Sequence, residues 1–300
     1  MKSLEDRIRG CFLAGAFGDA CGTAYESDLA GVKVLTGSPR MTCISDDTQL
    51  TLATCESLLD RGVVDPADLA SRFLCWYQQG RLTGLGASTL KAMRDLQVGA
   101  PWYLAGSRGE RTAGNGAAMR IAPFGFWLQS DDPTALMTLR DVCSITHRND
   151  EAFVGAWAIV EAIWHLIDGG SPEEMLATVA QRLPDTRVRE RLEALSSIQT
   201  DEIHEVAVRY GSSGYVADSI PFAMFAAAKV RQKEIEEIIK DVIRAGGDTD
   251  TNASLCGQLA GTVVGSSDRM VSKLKQLCEF PLIDRTIESL AKACVARRAA

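Results

Sequence analysis

The segment "EIEEIIKDVIRAGGDTDTNASLCGQLAGTVVG", residues 234–265, decides between the fold classes open to this chain. In its first half, Ile and Val recur at the three- and four-residue spacing of a helix face, and two glycines then end the pattern. Asp248, Asp250 and Thr251 open a second run, which is rich in small residues. The segment therefore predicts two consecutive helices, the second of them buried, with acidic side chains at their junction.

Helical periodicity recurs along the rest of the 300 residues, and no run shows the sustained alternation of a β-strand. Leu4 and Ile8 lie on one apolar stripe, and Phe153 and Trp157 lie on another. No sequence repeat and no long linker rich in Pro, Gly and Ser divides the chain. We therefore expect one all-α domain over residues 1–300. Further helices are predicted at 47–60, 67–79, 88–97, 133–145, 173–182, 186–197, 201–210, 219–230, 234–245, 249–264 and 283–297.

Composition limits the classes of partner. The formal net charge is −7, so the chain has no excess of Lys and Arg with which to neutralise nucleic-acid phosphates. Nine cysteines include no C-x-x-C pair, which is typical of free thiols in a reducing compartment. No uninterrupted apolar run approaches the roughly 18 residues that a membrane span needs. We expect a cytoplasmic protein whose partners are small or carry cationic charge through a bound metal.

A second acidic cluster, "SDDT" at Ser45–Thr48, repeats the chemistry of the first about two hundred residues earlier in the chain. Ser and Asp commonly cap helices, so ordinary capping explains either cluster taken alone. Carboxylates at the entrance of a buried helix repel one another, however, unless a cation or a proton offsets their charge. If the two helix starts converge, they form an all-oxygen set suited to Mg²⁺, Mn²⁺ or Ca²⁺.

Two other kinds of site fit the sequence less well. Zinc is disfavoured because His147, His165 and His204 all lack ligand spacing from a cysteine pair or from another histidine. "DTDTN" superficially matches the D-x-D-x-T motif of haloacid-dehalogenase-type phosphatases. That motif must follow a buried strand, whereas a helical pattern precedes it here.

With both clusters identified, the chain resembles the ADP-ribosylglycohydrolase family, which includes dinitrogenase reductase-activating glycohydrolase. Seven motifs occur in order along the whole chain, and their joint occurrence is far more specific than any one of them. They are "RIRGCFLAGAFGDACGTAYE" (7–26), "SDDTQL" (45–50), "TGLGAST" (83–89), "GNGAAMR" (114–120), "THRNDEAFVGA" (146–156), "DSIPFAMF" (218–225) and "GGDTDTNASLCGQLAG" (246–261).

The resemblance implies a compact orthogonal bundle of helices with a site for two Mg²⁺ ions, or Mn²⁺, at the two acidic segments. Family members often have Thr before the paired aspartates, and Ser45 keeps the hydroxyl oxygen of that position. Thr249 lies inside the same motif and is expected to face away from the site. The implied metal positions are Ser45, Asp46, Asp47, Asp248, Asp250 and Thr251.

The implied reaction is hydrolysis of the bond between the anomeric carbon of ADP-ribose and a modified side chain, with arginine as the leading acceptor. Hard cations can orient and acidify a water, while carboxylates stabilise charge developing on the sugar. Glu26 aligns with a family glutamate, and its role stays open between metal ligand and general base. Asp19 is expected to end its helix and orient the loop. The implied catalytic residues are Glu26, Asp46, Asp47 and Asp248.

Glycine-rich segments should hold the rest of the ligand, an ADP-ribosylated protein or small ADP-ribosyl compound. "TGLGAST" precedes a predicted helix, whose N-terminal N–H groups suit a diphosphate. "GNGAAMR" allows close backbone approach, and His147 is implied to lie near the adenosine half, although a purely structural histidine remains an alternative there. The implied binding residues are Gly84, Gly86, Ser88, Gly114, Asn115, Gly116, Met119 and His147.

Two questions stay open at the level of sequence. The long segment 98–117 lacks helical periodicity, and loops of that length are more often functional than idle. Arg108 and Arg111 within it could reach phosphates, or could simply face solvent. The second question is whether the chain is an enzyme, because the same fold also occurs as a crystallin and a non-enzymatic ADP-ribose-binding form is conceivable. Six intact oxygen ligands favour the enzyme.

Overall fold

A computed structural model describes residues 2–26, 35, 37–198, 200 and 202–299, and helices account for nearly all of its regular structure. The helices are α1 (Leu4–Thr23), α2 (Asp46–Arg61), α3 (Pro66–Gln78), α4 (Ala87–Gln97), α5 (Trp102–Ala105), α6 (Ala122–Trp127), α7 (Ala135–Ser144), α8 (Asp150–Ile167), α9 (Met175–Ala180), α10 (Arg187–Ser196), α11 (Ile203–Tyr210), α12 (Val216–Ala227), α13 (Ile235–Ala245), α14 (Thr249–Val264), α15 (Asp268–Leu274) and α16 (Phe280–Ala299).

The expected all-α class is confirmed, and every helix predicted from periodicity is present, most of them with shifted ends. The segment 98–117 is more ordered than predicted. It contains α5, two 3₁₀ turns (Glu110–Thr112 and Asn115–Ala117) and the two-residue strand β1 (Ser107–Arg108). β1 pairs in parallel with β2 (His147–Arg148). Backbone pairing and tight turns therefore satisfy the polar groups of a segment that has no helical face.

The packing of α1 against α14 organises the centre of the molecule. Glycines allow the two helix backbones to touch: a methyl group at Gly18 would lie 2.1 Å from the carbonyl oxygen of Ala253. At Gly22 a methyl group would lie 2.4 Å from the Cα of Asp250. Only glycine permits so close an approach. The packing therefore places the C-terminal half of α1 directly against the acidic start of α14.

Helix ends set the positions of the acidic segments. α13 ends before Gly246, whose φ is 76°, as the two glycines predict. α2 begins at Asp46 with Ser45 as its N-cap residue and ends at Arg61, with Gly62 as its C-cap residue. Among the residues described, no helix combines the length and apolar character needed to cross a bilayer.

Candidate active site and metal centre

Three buried carboxylates from three different helices meet where α1, α2 and α14 converge. Asp19 of α1, Asp47 of α2 and Asp250 of α14 each offer an oxygen within 4.8 Å of the others. The hydroxyl groups of Ser45 and Thr251 join them: Thr251 Oγ1 donates to Asp47 Oδ2 at 3.1 Å, and Ser45 Oγ lies 3.3 Å from the same oxygen. The two acidic sequence clusters thus converge.

Asp19 has a different position from the one that its sequence context suggested. It does not end its helix, because α1 continues to Thr23 and Gly18 serves the packing against Ala253 instead. Its carboxylate accepts hydrogen bonds from Ser45 N, Ser45 Oγ and Thr48 N, at 3.0, 2.7 and 3.1 Å. Asp19 therefore caps the first turn of α2 from a neighbouring helix and joins the acidic group itself.

Burial makes ionisation of this cluster costly. It raises the pKa of Asp19, and burial together with the charge of Asp250 raises the pKa of Asp47 well above its ordinary value. For Asp46 the causes are burial and the charges of Asp19 and Asp248, and its pKa is likewise well above the ordinary value. Burial and Asp248 raise the pKa of Asp250 to about 9.

The described residues at this cluster fit a hard divalent cation. Asp47 Oδ1 is buried and has no hydrogen-bond partner in the described part of the chain, so one ligand oxygen is left for another atom. All the available ligand atoms are carboxylate or hydroxyl oxygens, which Mg²⁺, Mn²⁺ and Ca²⁺ prefer and zinc sites rarely use alone. Among the described residues, Asp19, Asp47 and Asp250 form a group that could hold a metal ion.

Asp248 differs from the buried carboxylates, because it is half-buried and faces a cleft. Its side chain makes no capping hydrogen bond to α14, although Asp248 is the N-cap residue of that helix. Asp248 Oδ2 instead accepts a hydrogen bond from Asn115 Nδ2 at 2.8 Å. The same Asn115 nitrogen donates to Ser219 Oγ at 2.9 Å, and Ser219 Oγ donates to Asn252 Oδ1 at 2.8 Å. This network holds Asp248 at the wall of the cleft.

The cleft has a volume of about 560 Å³, enough for a small ligand, and its walls combine acidic residues with glycine-rich backbone. Gly84, with φ of 78°, lies so close to Asp46 that a methyl group there would be 3.4 Å from Asp46 Oδ1. The residues expected from the sequence that line the cleft are Glu26, Asp46, Gly84, Gly86, Ser88, Gly114, Asn115, Gly116, Met119, His147, Asp248, Asp250 and Thr251.

His147 lies against the second glycine segment. Methyl groups at Gly114 and Gly116 would lie 3.3 and 2.8 Å from the imidazole ring, so the glycines make room for it. His147 Nδ1 is 2.9 Å from Thr146 Oγ1. Burial and the nearby charge of Arg120 lower the pKa of His147 to about 3, which keeps the ring neutral at physiological pH.

The other residues named in the sequence analysis differ in whether they line the cleft. Glu26 is exposed at the edge of the described cleft, and burial with the charge of Asp248 raises its pKa. Arg111 lines the cleft, whereas Arg108 is exposed on β1 and does not. Thr249 faces away from the acidic group, as predicted, and donates to the Gly22 carbonyl at 3.0 Å. His165 lies 2.8 Å from the Ser171 carbonyl oxygen, and His204 is exposed.

Sequence reasoning missed several residues of the cleft and of its support. Gly214 accepts the backbone hydrogen bond of Asn115 at 3.1 Å, and a methyl group on it would lie 2.9 Å from Asp248 Oδ2. Its "GSSG" segment offered a turn signal, but no local pattern connects it to Asp248. Asp19 was recognised only as a loop-orienting residue, because its role depends on helix packing. The other unpredicted lining residues are Ala87, Thr89, Ser213 and Gly247.

Comparisons with known proteins identify a family for the whole chain. The ADP-ribosylglycohydrolase family model matches residues 1–300. The ADP-ribosylarginine hydrolase Tri1 of Pseudomonas putida is 28% identical, over 87% of this chain and 71% of that protein. The ADP-ribosyl-[dinitrogen reductase] glycohydrolase of Rhodospirillum rubrum is 27% identical, over 89% of this chain and 88% of that protein.

A solved structure described as an ADP-ribosylglycohydrolase-related protein complex has the same fold. It matches with a TM-score of 0.74 and 27% identity, over 98% of this chain and 100% of that chain. The family model extends over the whole chain and therefore over all of the residues that build the cleft. The chain belongs to the ADP-ribosylglycohydrolase family.

Proposed function

We propose that this protein is a divalent-cation-dependent ADP-ribosyl hydrolase. It cleaves the bond between the anomeric carbon of ADP-ribose and a modified side chain, with ADP-ribosylarginine as its leading substrate. The observation that carries the proposal is the group of Asp19, Asp47 and Asp250, buried beside a cleft that reaches a glycine-rich wall. A protein with only a structural role has no use for mutually repelling buried carboxylates.

Asp47 and Asp250 would hold the cation, with Asp19 at the rear of the group and the hydroxyls of Ser45 and Thr251 completing the oxygen set. Two Mg²⁺ ions are proposed, with Mn²⁺ as an alternative. A bound divalent cation supplies Lewis acidity to the oxygens that it contacts and charge that offsets the carboxylates. Asp19 also holds the first turn of α2 by its three hydrogen bonds, which keeps Asp46 and Asp47 in place.

Asp248 and Asp46 would act at the cleft surface, where they can hold ribose hydroxyls and stabilise positive charge on the sugar ring. Asn115 orients Asp248 by donating to Oδ2, which leaves Asp248 Oδ1 for the ligand. Glu26 lies at the edge of the same cleft with a raised pKa, so its carboxyl group suits proton transfer to or from a water. We assign it the general-base role.

The glycine segments would hold the diphosphate and the nucleoside. Gly84 and Gly86 precede α4, and Ser88 lies in the first turn of that helix, where free N–H groups favour an anion. Gly114 and Gly116 allow the backbone to approach a ligand from the other wall, next to Met119 and His147. Acidic groups therefore meet the ribose end of the ligand, and backbone N–H groups meet its anionic end.

The acceptor side chain is proposed from the names of two relatives. The Tri1 protein is named for ADP-ribosylarginine, and the Rhodospirillum protein is named for an ADP-ribosylated dinitrogen reductase. The residues of the cleft bind the ADP-ribose half, which every such substrate shares. Arginine is the leading acceptor because the Tri1 name states it.

The test is release of ADP-ribose from peptides ADP-ribosylated on arginine or on serine, measured with Mg²⁺, with Mn²⁺ and after treatment with EDTA. We expect release from the arginine peptide with either metal and loss of release with EDTA. Release from the serine peptide alone would contradict arginine as the acceptor but would leave the proposed hydrolysis of ADP-ribosyl bonds standing. No release from either peptide by folded, metal-loaded protein would overturn the reaction itself.

A further inference from the structure

Arg120 is a fully buried cation close to the cleft, and its surroundings are unusual for an arginine. Its Nη2 donates to Thr146 Oγ1 at 2.8 Å and to the Val142 carbonyl at 3.2 Å. The guanidinium carbon lies 4.7 Å from the centre of the Phe73 ring. In the described part of the chain no carboxylate pairs with it, and its Nε and Nη1 have no hydrogen-bond partner.

A buried charge without a counter-charge is costly, so its presence calls for a reason beyond packing. Burial lowers the pKa of Arg120 only to about 10, which leaves the group charged at neutral pH. The Thr146 hydroxyl that accepts from Arg120 is itself fully buried and lies 2.9 Å from His147 Nδ1. Arg120, Thr146 and His147 thus form a chain of hydrogen bonds that leads from the core to the cleft wall.

The direction of donation along this chain sets the tautomer of His147. Arginine can only donate, so the Thr146 oxygen uses a lone pair on Arg120 and keeps its own proton to donate. Among the described residues this buried hydroxyl has no other acceptor, so its proton is satisfied only if it is donated to His147 Nδ1, which is then the acceptor nitrogen of a neutral ring. The proton of the imidazole is therefore on Nε2, the nitrogen that lies nearest to the backbone at Gly114 and Gly116.

We propose that Arg120 is a positioning residue: acting through Thr146, it locks His147 as a neutral Nε2–H donor that faces the cleft and contacts the bound ADP-ribosyl ligand. The inference rests on the proposed function for the identity of that ligand, but the tautomer itself does not. A neutral donor fixed in one orientation gives a hydrogen bond whose strength does not change across physiological pH.

The charged and titratable groups around His147 agree with this assignment. Arg120 approaches from the segment before α6, Arg148 follows His147 on β2, Arg111 lines the same cleft, and Cys143 of α7 lies near Arg120. Of these, Arg120 is the charge that acts on the ring, and with burial it lowers the pKa of His147 to about 3. The ring therefore stays neutral throughout the range in which an ordinary histidine titrates.

The first experiment is long-range ¹H–¹⁵N NMR of the ligand-free protein, whose three histidines can be assigned with a His147→Gln variant. We expect His147 to show the Nε2-protonated neutral pattern, unchanged between about pH 5 and 8, with the proton absent from Nδ1. An Nδ1-protonated ring, or an imidazolium that titrates near pH 6, would overturn the proposal whatever the protein's activity.

The second experiment removes the relay without removing the ligand contact. Thr146→Val deletes the hydroxyl and keeps the shape, and Thr146→Ser keeps the hydroxyl. With Thr146→Val we expect a mixed tautomer, a His147 that titrates at higher pH, and ADP-ribose binding weakened about tenfold with a similar rise in KM. kcat should change much less than KM, and Thr146→Ser should restore the wild-type tautomer.

Thr54→Val is the matched control, because Thr54 is also fully buried and its hydroxyl donates to the Leu50 carbonyl at 2.8 Å. It should change neither the NMR pattern of His147 nor the affinity for ADP-ribose. Arg120→Met should repeat the effect of Thr146→Val. Because replacing a buried charge can also prevent folding, the comparison of Thr146→Val with Thr146→Ser is the deciding test. An unchanged tautomer and affinity in Thr146→Val, or a loss in kcat with KM unchanged, would overturn the proposal.

Discussion

The starts of α2 and α14 have nearly the same sequence chemistry, but the structure uses them differently. At α2 the carboxylates of Asp46 and Asp47 are buried, and Asp19 of another helix caps the first turn. At α14 Asp250 is buried in the same group, whereas Asp248 stays half-buried and is held from across the cleft by Asn115. The first turn of α2 is therefore capped by Ser45 and, from outside, by Asp19, whereas Asp248 makes no capping hydrogen bond and is left available to the cleft.

This difference shows what an acidic helix start can do beyond capping. The carboxylate that is freed from capping faces the cleft, and the carboxylates that are buried together need a cation or protons to offset their charge. Asp47 is thus expected to matter for the metal, and Asp248 for the sugar. The predictions below test that division, in order of decreasing free-energy effect.

The largest effect is expected at Asp47. Replacement by Asn should lower the hydrolysis rate about a thousandfold, because a metal-assisted step loses several kcal/mol of stabilisation. The same variant should be more stable than the wild type without metal, since one of the repelling carboxylates is gone, and should gain nothing from Mg²⁺. Activity and thermal denaturation with and without EDTA measure both effects.

Asp284→Asn is the control for that change, because Asp284 pairs with Arg9 at the surface, 3.0 Å away. It should leave activity and the response to Mg²⁺ unchanged. Full activity in Asp47→Asn would show that the buried cluster does not serve the reaction.

The metal-free protein should lose stability as the pH rises from 7 to 8. The pKa of Asp250 is raised to about 9 in the folded chain from an unfolded value of 3.8, so the folded state binds more protons. A group of this kind contributes its full stabilisation below its pKa in the unfolded chain. The contribution is lost as the pH rises towards its pKa in the folded chain, and the free energy of unfolding falls by about 1.4 kcal/mol per pH unit for each proton. Denaturant titrations measure the slope.

Saturating Mg²⁺ should flatten this dependence, because it favours the ionised carboxylates. The chosen range avoids the opposite effect of His147, whose lowered pKa costs stability only at pH values where the unfolded chain becomes protonated. Asp250→Asn should also flatten the slope, and a slope that Mg²⁺ leaves unchanged would argue against a cation in the cluster.

A smaller effect is expected at Asn115, which holds Asp248 in the cleft by a hydrogen bond of 2.8 Å. Asn115→Ala should lower kcat/KM about tenfold while the affinity for Mg²⁺ stays within a few-fold of wild type. Gln97→Ala, at the exposed end of α4, is the control. A large loss of Mg²⁺ affinity in Asn115→Ala would remove the proposed division between the two helix starts.

The smallest effect is expected at Gly84, where a matched glycine exists. Gly84 and Gly62 have φ of 78° and 68°, so alanine should cost each variant about 1 kcal/mol of stability. A methyl group at Gly84 lies against Asp46, whereas nothing lies within 4 Å of one at Gly62. Gly84→Ala alone should raise KM, by about threefold. Equal KM values in the two variants would contradict a role for Gly84 at the ligand.

The long helices and most of the cleft could be predicted from the sequence. α14 has the predicted bounds, and α2 differs from its prediction by one residue at each end, because periodicity and helix-end signals are local. α5, α6 and α15 were not predicted. Each of the three is seven residues or shorter, which is too short to show a clear helical period. In α6 all six residues are also buried, so that helix has no polar face.

The site was predictable where residues of one motif act together, and not where distant segments meet. The "SDDT" and "GGDTDT" segments gave the acidic residues directly. Asp19 joins them only because Gly18 and Gly22 bring α1 onto α14, a contact between residues more than two hundred positions apart. Arg120 and Thr146 lie 26 residues apart, and neither side chain signals the contact by itself.

Calorimetric titration of the metal-free protein with Mg²⁺ tests the central claim most directly. We predict saturable binding to the wild type and to Asp248→Asn, binding lost in Asp47→Asn, and ADP-ribose affinity that increases when Mg²⁺ is present in the wild type. Absence of Mg²⁺ and Mn²⁺ binding by folded wild-type protein, or unchanged binding in Asp47→Asn, would contradict the assignment of the buried carboxylates as a metal site.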